Sequence, residues 1–293
     1  MAVSPFQQFF RKKQRGECFA VVSLYDALTA ALCVDAGVDM LLVGDSLGNV
    51  VAGYENTVPV TMDVMAYHTG AVVRGVRQSS RAGVPVIADM PFGSYHSEGD
   101  AIVHNCTRLM QAGAHAVKVE GANAASLRAV QLFTEMGAPV VGHIGYTPQA
   151  AYALRGTVQG RTTAAAAELL EGAQRLQDAG CVALVLEAIP AEVAATITGR
   201  LEIPTIGIGA GPHCDGQVLI WHDLVGLTPG EPYTFVKRYA QAHTLLREST
   251  RQFIQEVHSG AFPGVDHGWN MDADELARWQ QETSAGTDAG EAP

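Results

Sequence analysis

The stretch AIVHNCTRLMQAGAHAVKVE, residues 101–120, contains a helix, a turn and a strand in direct succession. Apolar residues recur at helical spacing up to Ala112. Gly113 follows, and a glycine adopts the left-handed conformation of a helix cap without steric cost. The apolar run over 116–119 then predicts a buried strand. The stretch therefore predicts one αβ unit of a parallel sheet.

The same arrangement recurs along the chain. Ala-Gly or Met-Gly pairs also close predicted helices at residues 36–37, 82–83, 136–137 and 179–180. Eight short apolar runs predict strands, at 18–22, 40–43, 84–88, 116–119, 139–141, 182–186, 205–208 and 218–221. Eight βα repeats favour an α/β fold of the single-domain (β/α)₈ TIM barrel type, with an open, doubly wound sheet as the alternative.

Charge marks the predicted domain boundaries. The 293 residues are 47% hydrophobic and 17% charged, which is typical of a globular protein with a large core. The net charge of −11 argues against nucleic acid as a partner. Residues 1–16 carry four bases and no acid, and are predicted to form an N-terminal helical arm. Residues 17–270 are predicted to form the catalytic barrel, and residues 271–293, with six acids and one base, a disordered tail.

Cysteine usage and hydropathy indicate the compartment. The five cysteines contain no C-x-x-C pair, which argues against a disulfide framework and a zinc knuckle. The N-terminus lacks the order of a secretory signal, and no apolar run reaches the roughly 18 residues that span a bilayer. We therefore expect a cytoplasmic protein without a membrane partner.

Ionisable and polar side chains occur where the predicted strands end, at the face on which parallel barrels carry their sites. They are Asp45, Ser46, Asp89, Lys118, Glu120, His143 and Glu187. Four carboxylates at one mouth repel each other unless a cation lies among them, and one lysine is too little to offset them. Oxygen ligands without thiolates favour Mg²⁺. The competing interpretation is that Asp45 and Asp89 cap helices.

Two further motifs have both a functional and a structural interpretation. Residues 44–48, GDSLG, fit the G-x-S-x-G nucleophile elbow with Ser46 as nucleophile, yet the chain contains no Asp-x-x-His block to complete a hydrolase of that type. The glycines at 207, 209 and 211 either bind phosphate on backbone N–H groups or allow close helix–strand packing. His143 is either a donor to substrate or a structural histidine.

Longer blocks around these residues resemble those of the ketopantoate hydroxymethyltransferase family. They are LLVGDSLG at 41–48, VPVT at 58–61, YHT at 67–69, ADMPFGSY at 88–95, VKVEG at 117–121, GHIGYTPQ at 142–149, VQGR at 158–161, LE at 186–187, IGIGAG at 206–211 and GVDH at 264–267. The resemblance spans about residues 5–267 in family order. Departures at Ser23, Asn49 and Ala188 leave the acids and Lys118 unchanged.

The resemblance implies a reaction and a role for each residue. It assigns Mg²⁺ to Asp45, Asp89 and Glu120, the α-keto acid to Asp45, Ser46, Asp89 and Lys118, the catalytic base to Glu187, and a supporting role to His143. The implied activity is Mg²⁺-dependent transfer of the one-carbon unit of 5,10-methylenetetrahydrofolate to 3-methyl-2-oxobutanoate, the first step of pantothenate biosynthesis. The implied assembly is a cytoplasmic homodecamer.

Two other functions stay open at this point. One is a Mg²⁺-dependent C–C or P–C lyase of the phosphoenolpyruvate mutase and isocitrate lyase type, whose reactive loop cysteine is not evident here. The other is a non-enzymatic ligand-binding barrel. No stacking motif among the 7% aromatic residues identifies the folate site.

Overall fold

The computed structural model describes residues 4–81, 83–96, 99–154 and 156–285. Eight parallel strands close into a barrel in chain order, which confirms the predicted TIM barrel and excludes the open sheet. The strands are β1 (Phe19–Ser23), β2 (Met40–Val43), β3 (Val86–Asp89), β4 (Ala116–Glu120), β5 (Val140–Gly145), β6 (Ala183–Glu187), β7 (Thr205–Ile208) and β8 (Gly216–Ile220).

Helices cover the outside of the barrel. They are α1 (Gln7–Arg15), α2 (Ala27–Asp35), α3 (Leu47–Val50), α4 (Met62–Gln78), α5 (Asp100–Gln111), α6 (Ala124–Glu135), α7 (Thr163–Asp178), α8 (Ala191–Arg200) and α9 (Trp221–Leu224). Side chains of Asp26, Thr61, Asn123 and Thr162 cap four of them. Gly113 ends the α5 unit at φ +105°, as the Ala-Gly pair predicts.

The pleat of each strand decides which side chains face the barrel interior. In β4, Ala116 belongs to the core inside the barrel, whereas Val117 and Val119 belong to the core between the sheet and the helices. Because side chains alternate along a strand, Lys118 and Glu120 share the inner face with Ala116. The barrel is therefore apolar at its amino end and ionisable at its carboxyl end.

Helix α1 closes the amino end of the barrel. Phe6 and Phe9 are at most 1% exposed and belong to the inner core, with the ring of Phe9 4.8 Å from that of Phe19. Lys13 Nζ lies 2.9 Å from Asp215 Oδ2 and donates to Thr198 O at 2.8 Å. The predicted helical arm thus packs against its own barrel.

The described residues from Ala242 onwards form a second compact unit. This unit contains α10 (Ala242–Ser259) and α11 (Ala273–Ala285). Helix α11 lies in the segment 271–293 for which the sequence predicts a disordered tail; Asp272 accepts from the Asp274 N–H, and acids in the first turn favour the helix dipole. Residues 286–293 lie outside the described residues.

Within the described part, no helix is long and apolar enough to cross a membrane.

Candidate active site

The sequence-predicted site residues meet in one cavity of about 580 Å³ at the carboxyl end of the strands. Its lining contains Asp45, Ser46, Asp89, Lys118, Glu120, His143 and Glu187. The strand register places them side by side, with Asp89 opposite Lys118 and Glu120 opposite His143. Residues far apart in sequence therefore form one cluster, as the strand ends predict.

Asp45 and Asp89 form a buried pair. The backbone N–H of Asp45 donates to Asp89 Oδ2 at 3.0 Å, and both side chains are at most 3% exposed. Burial raises the pKa of Asp45, and the neighbouring charges of Asp89 and Glu120 raise it further. Neither carboxylate caps a helix, since Asp45 Oδ2 accepts instead from Gln149 Nε2 at 2.8 Å. The capping interpretation is therefore wrong.

Lys118 lies among the carboxylates and is 4% exposed. Its Nζ is 3.1 Å from Asp89 Oδ1 and 3.4 Å from Glu120 Oε1. Burial lowers the pKa of Lys118, but the charges of Asp89, Glu120 and Asp45 outweigh this and raise it well above its ordinary value. Lys118 is therefore a permanent cation at the base of the cavity.

His143 lies between two carboxylates. Its Nδ1 is 3.1 Å from Glu120 Oε1 and its Nε2 is 3.2 Å from Glu187 Oε2. Burial and Lys118 lower the pKa of His143, whereas Glu120 and Glu187 raise it, with a net rise to about 9. An imidazolium at neutral pH can fix the direction of both carboxylates.

Glu187 is the last residue of β6. With 19% of its side chain exposed, it is more accessible than the other three sequence-predicted acids of the cavity. The next residue, Ala188, has a φ of +47°, a strained conformation for a residue with a Cβ. A Cβ on Gly145, which pairs with Glu187 in the sheet, would overlap the carbonyl oxygen of Glu187. The backbone that carries Glu187 therefore depends on a glycine at position 145.

The two remaining motifs have structural explanations. Ser46 Oγ lies 2.8 Å from Tyr25 OH, and no hydrogen bond in the described part of the chain joins it to a histidine, so the nucleophile elbow is not supported. A Cβ on Gly209 would lie 2.9 Å from the Phe235 ring, and one on Gly211 would press on Ala191. These glycines serve close packing.

Sequence reasoning missed two buried residues that contact the acidic residues of the site without lining the cavity. Gln149 and Tyr95 are at most 5% exposed, and the hydroxyl of Tyr95 donates to Gln149 Oε1 at 2.8 Å. Both lie inside blocks of the family resemblance, at 88–95 and 142–149, which was the available signal. The hydrogen bond between them joins residues that are 54 positions apart in sequence, which a periodic hydropathy pattern cannot predict.

The oxygen donors fit a hard divalent cation. Asp89 Oδ1 has no aligned hydrogen bond but lies 3.1 Å from Lys118 Nζ, and Asp45 Oδ1 accepts no hydrogen bond from a described residue. The described residues contain no cluster of three or more His, Cys, Asp or Glu side chains arranged around one ion. Glu120 Oε1 lies 3.1 Å from His143 Nδ1, and Glu120 Oε2 accepts from the Gln149 N–H at 3.1 Å. Mg²⁺ needs only one or two carboxylates, with water and substrate as its other ligands.

Solved structures with the same fold have different sequences. A phosphonopyruvate hydrolase has a TM-score of 0.59 at 13% identity, covering 98% of this chain and 99% of that chain. A 2,3-dimethylmalate lyase of the PEP mutase and isocitrate lyase superfamily has a TM-score of 0.57 at 16% identity, covering 99% of this chain and all of the other. These likenesses establish the shared fold.

Sequence relatives are much closer. The 3-methyl-2-oxobutanoate hydroxymethyltransferase of Gluconacetobacter diazotrophicus is 47% identical over 266 residues, 91% of this chain and 94% of that protein. The enzyme of the same name from Trichlorobacter lovleyi is 50% identical over 262 residues, 88% of this chain and 95% of its own. The family model for ketopantoate hydroxymethyltransferase matches residues 4–265. The chain is therefore a member of the ketopantoate hydroxymethyltransferase family.

Proposed function

We propose that the protein transfers the one-carbon unit of 5,10-methylenetetrahydrofolate to 3-methyl-2-oxobutanoate, the first step of pantothenate biosynthesis. Water supplies the hydroxyl oxygen, and the products are 2-dehydropantoate and tetrahydrofolate. The observation that carries the proposal is the buried Lys118 beside Asp45 and Asp89, with Glu187 on the same cavity. This arrangement suits a small anionic substrate that must lose a proton.

Asp45 and Asp89 are the residues that would hold a divalent cation, for which the family resemblance favours Mg²⁺. When bound, the ion supplies a Lewis acid that polarises the keto oxygen of the substrate. The family resemblance implies Glu120 as a third ligand; one of its oxygens accepts from the Gln149 N–H and the other faces His143.

Lys118 and Ser46 bind the substrate carboxylate in this proposal. Lys118 carries the positive charge, and Ser46 lies on the same cavity wall with its hydroxyl held by Tyr25. A charged partner and a fixed hydroxyl together restrict the orientation of the keto acid. Both groups are in place before substrate binds, so little reorganisation is needed.

Glu187 acts as the general base that removes the proton from C3 of the keto acid. His143 Nε2 lies 3.2 Å from Glu187 Oε2, close enough for a protonated imidazole to attract the carboxylate. The resulting enolate carbon forms a bond to the one-carbon unit, whose two C–N bonds to the folate break as water supplies the hydroxyl group and protons return to the folate nitrogens. Leu227, Pro229, Tyr233 and Phe235 line the outer part of the cavity and offer apolar and aromatic surface to the folate ring.

One assay tests this proposal. Consumption of 3-methyl-2-oxobutanoate is measured with methylenetetrahydrofolate, with EDTA, and with EDTA followed by excess Mg²⁺. We expect turnover that EDTA stops and Mg²⁺ restores. Turnover of α-keto or phosphonate acids without folate would instead support a lyase. Unchanged keto acid affinity in Asp45→Ala and Asp89→Ala variants, without turnover, would support a ligand-binding barrel.

The proposal extends to location and assembly. The family resemblance implies a cytoplasmic homodecamer with a keto acid and a folate as its small-molecule partners. Light scattering on the purified full chain tests the assembly, since a decamer has about ten times the mass of the 31.0 kDa protomer. A monomeric species at working concentration would contradict it.

A further inference from the structure

Gln149 connects three strand ends at the mouth of the barrel. It lies in the short 3₁₀ turn Pro148–Ala150 that follows β5, and it is 5% exposed. Its Nε2 donates to Asp45 Oδ2 at 2.8 Å and to Met90 O at 2.9 Å. Its backbone N–H donates to Glu120 Oε2 at 3.1 Å. One residue therefore holds two of the carboxylates.

Tyr95 fixes the orientation of the Gln149 amide. Its hydroxyl donates to Gln149 Oε1 at 2.8 Å and accepts from the backbone N–H of Glu120 at 3.3 Å. Both amide hydrogens and the amide oxygen of Gln149 thus have partners. A flip of the amide would break all three hydrogen bonds, so its donors keep one direction.

The consequence for Asp45 is that its two oxygens are no longer equivalent. Oδ2 is occupied by the Gln149 amide, whereas Oδ1 accepts no hydrogen bond from a described residue. A carboxylate held in this way offers one oxygen to a cation. If Gln149 released Oδ2, both oxygens would be free to bind the same ion.

One-oxygen coordination distinguishes small from large divalent ions. Mg²⁺ requires near-octahedral geometry, whereas Ca²⁺ accepts six to eight oxygens and takes carboxylates with one or both oxygens. We propose that Gln149 is a positioning residue that holds Asp45 to one-oxygen coordination and so sets the preference of the site for Mg²⁺ over Ca²⁺. The inference rests on the proposed function, because it requires a divalent cation at Asp45 and Asp89.

Calorimetric titration of the full-length protein with Mg²⁺ and with Ca²⁺, each with and without 3-methyl-2-oxobutanoate, tests the inference. The variant is Gln149→Leu, which removes the amide but keeps the backbone N–H to Glu120. Loss of such an outer partner lowers metal affinity by about 10- to 100-fold. We expect this loss for Mg²⁺ and a smaller change, under about threefold, for Ca²⁺.

The ratio of the two dissociation constants separates positioning from a general loosening of the site, which would weaken both ions alike. The matched control is Gln174→Leu, since Gln174 Nε2 donates to the carboxylate of Asp178 at 3.0 Å on α7, outside the cavity. It should leave both constants unchanged. If wild type binds neither ion under either condition, the proposed function fails; if it binds Mg²⁺ and Gln149→Leu keeps the ratio, this inference fails.

Tyr95→Phe provides a second variant in case Gln149→Leu does not fold, which thermal melting would reveal. It removes the hydroxyl that orients the amide and leaves Gln149 itself in place. We expect the Mg²⁺-to-Ca²⁺ ratio to shift in the same direction by a smaller factor. A ratio equal to that of wild type in Tyr95→Phe would overturn the role of the fixed amide.

Discussion

His143 Nε2 lies 3.2 Å from Glu187 Oε2, on the side of the imidazole opposite Glu120. The histidine therefore joins the proposed base to the buried carboxylates below it. Because the pKa of His143 is raised to about 9, its imidazole is cationic at neutral pH. Glu187 can accept a proton from substrate while its direction stays fixed.

Replacement of the proposed base should stop the first chemical step. We expect Glu187→Gln to lower deuterium exchange at C3 of 3-methyl-2-oxobutanoate by about 10²- to 10⁴-fold, the usual contribution of a general base. Exchange is followed by proton NMR, and binding of the keto acid with Mg²⁺ by calorimetry. Glu192→Gln on the exposed start of α8 is the control. Unimpaired exchange in Glu187→Gln would remove the base assignment.

The charge on His143 predicts a pH dependence of stability. Its pKa of about 9 in the folded state exceeds the value near 6.5 of an unfolded histidine, so the stabilisation is full below about pH 6.5 and is lost as the pH rises to about 9. The stabilisation that is lost is about 3 kcal/mol. His143→Gln should lack this dependence in urea titrations between pH 6 and 9.5.

The exposed His104 supplies the control for that series. His104→Gln should follow wild type at every pH, whereas the stability difference between wild type and His143→Gln should shrink as the pH rises. A difference that stays constant from pH 6 to 9.5 would show that folding does not raise the pKa of His143.

A side chain at position 145 should disturb the backbone of Glu187. Gly145 has a φ of +99°, and its added Cβ would overlap the Glu187 carbonyl. We expect Gly145→Ala to lower the free energy of unfolding by about 2 to 5 kcal/mol, from left-handed strain and overpacking together. Gly199→Ala on α8, where a Cβ meets nothing within 4 Å, should be neutral or stabilising. Equal effects of the two substitutions in thermal melts would contradict this account.

The packing of α1 predicts a large stability effect far from the site. Phe9 is fully buried in the inner core, so Phe9→Ala should cost about 3 to 5 kcal/mol. Affinity for the keto acid should be unchanged at temperatures where the variant is folded, since the ring lies at the other end of the barrel. Phe92→Ala, with a half-exposed ring, is the control and should have little effect in denaturant titrations. A variant as stable as wild type would mean that α1 is dispensable for the barrel.

The sequence predicted the barrel and most of the site because both follow from local patterns. Lys118 and Glu120 are two residues apart and follow Ala116 in the same alternation, so their common face could be derived before the structure. The strand ends then placed Asp89, His143 and Glu187 with them, because parallel strands end at one face.

Other features depended on contacts that no local pattern encodes. Gln149 reaches Asp45 across 104 residues, and only the path of the loop after β5 brings them together. Residues 7–15 are amphipathic, but their pattern does not predict that they pack against the amino end of the barrel. In the tail, net negative charge suggested disorder, while the placement of Asp274 and Glu275 in the first turn favours a helix.

Because side chains alternate along β4, the number of residues in that strand decides which side chains face the cavity. Deletion of one residue of the strand before Val117 would turn Val117 and Val119 toward the cavity and point Lys118 and Glu120 at the helices. Loops at the amino end of the strands, away from the cavity, can gain or lose residues at little cost to the chemistry. Divergence among such barrels should therefore accumulate as insertions between strands. Within each strand, the number of residues between the apolar residue inside the barrel and the ionisable residue at the carboxyl end should stay constant.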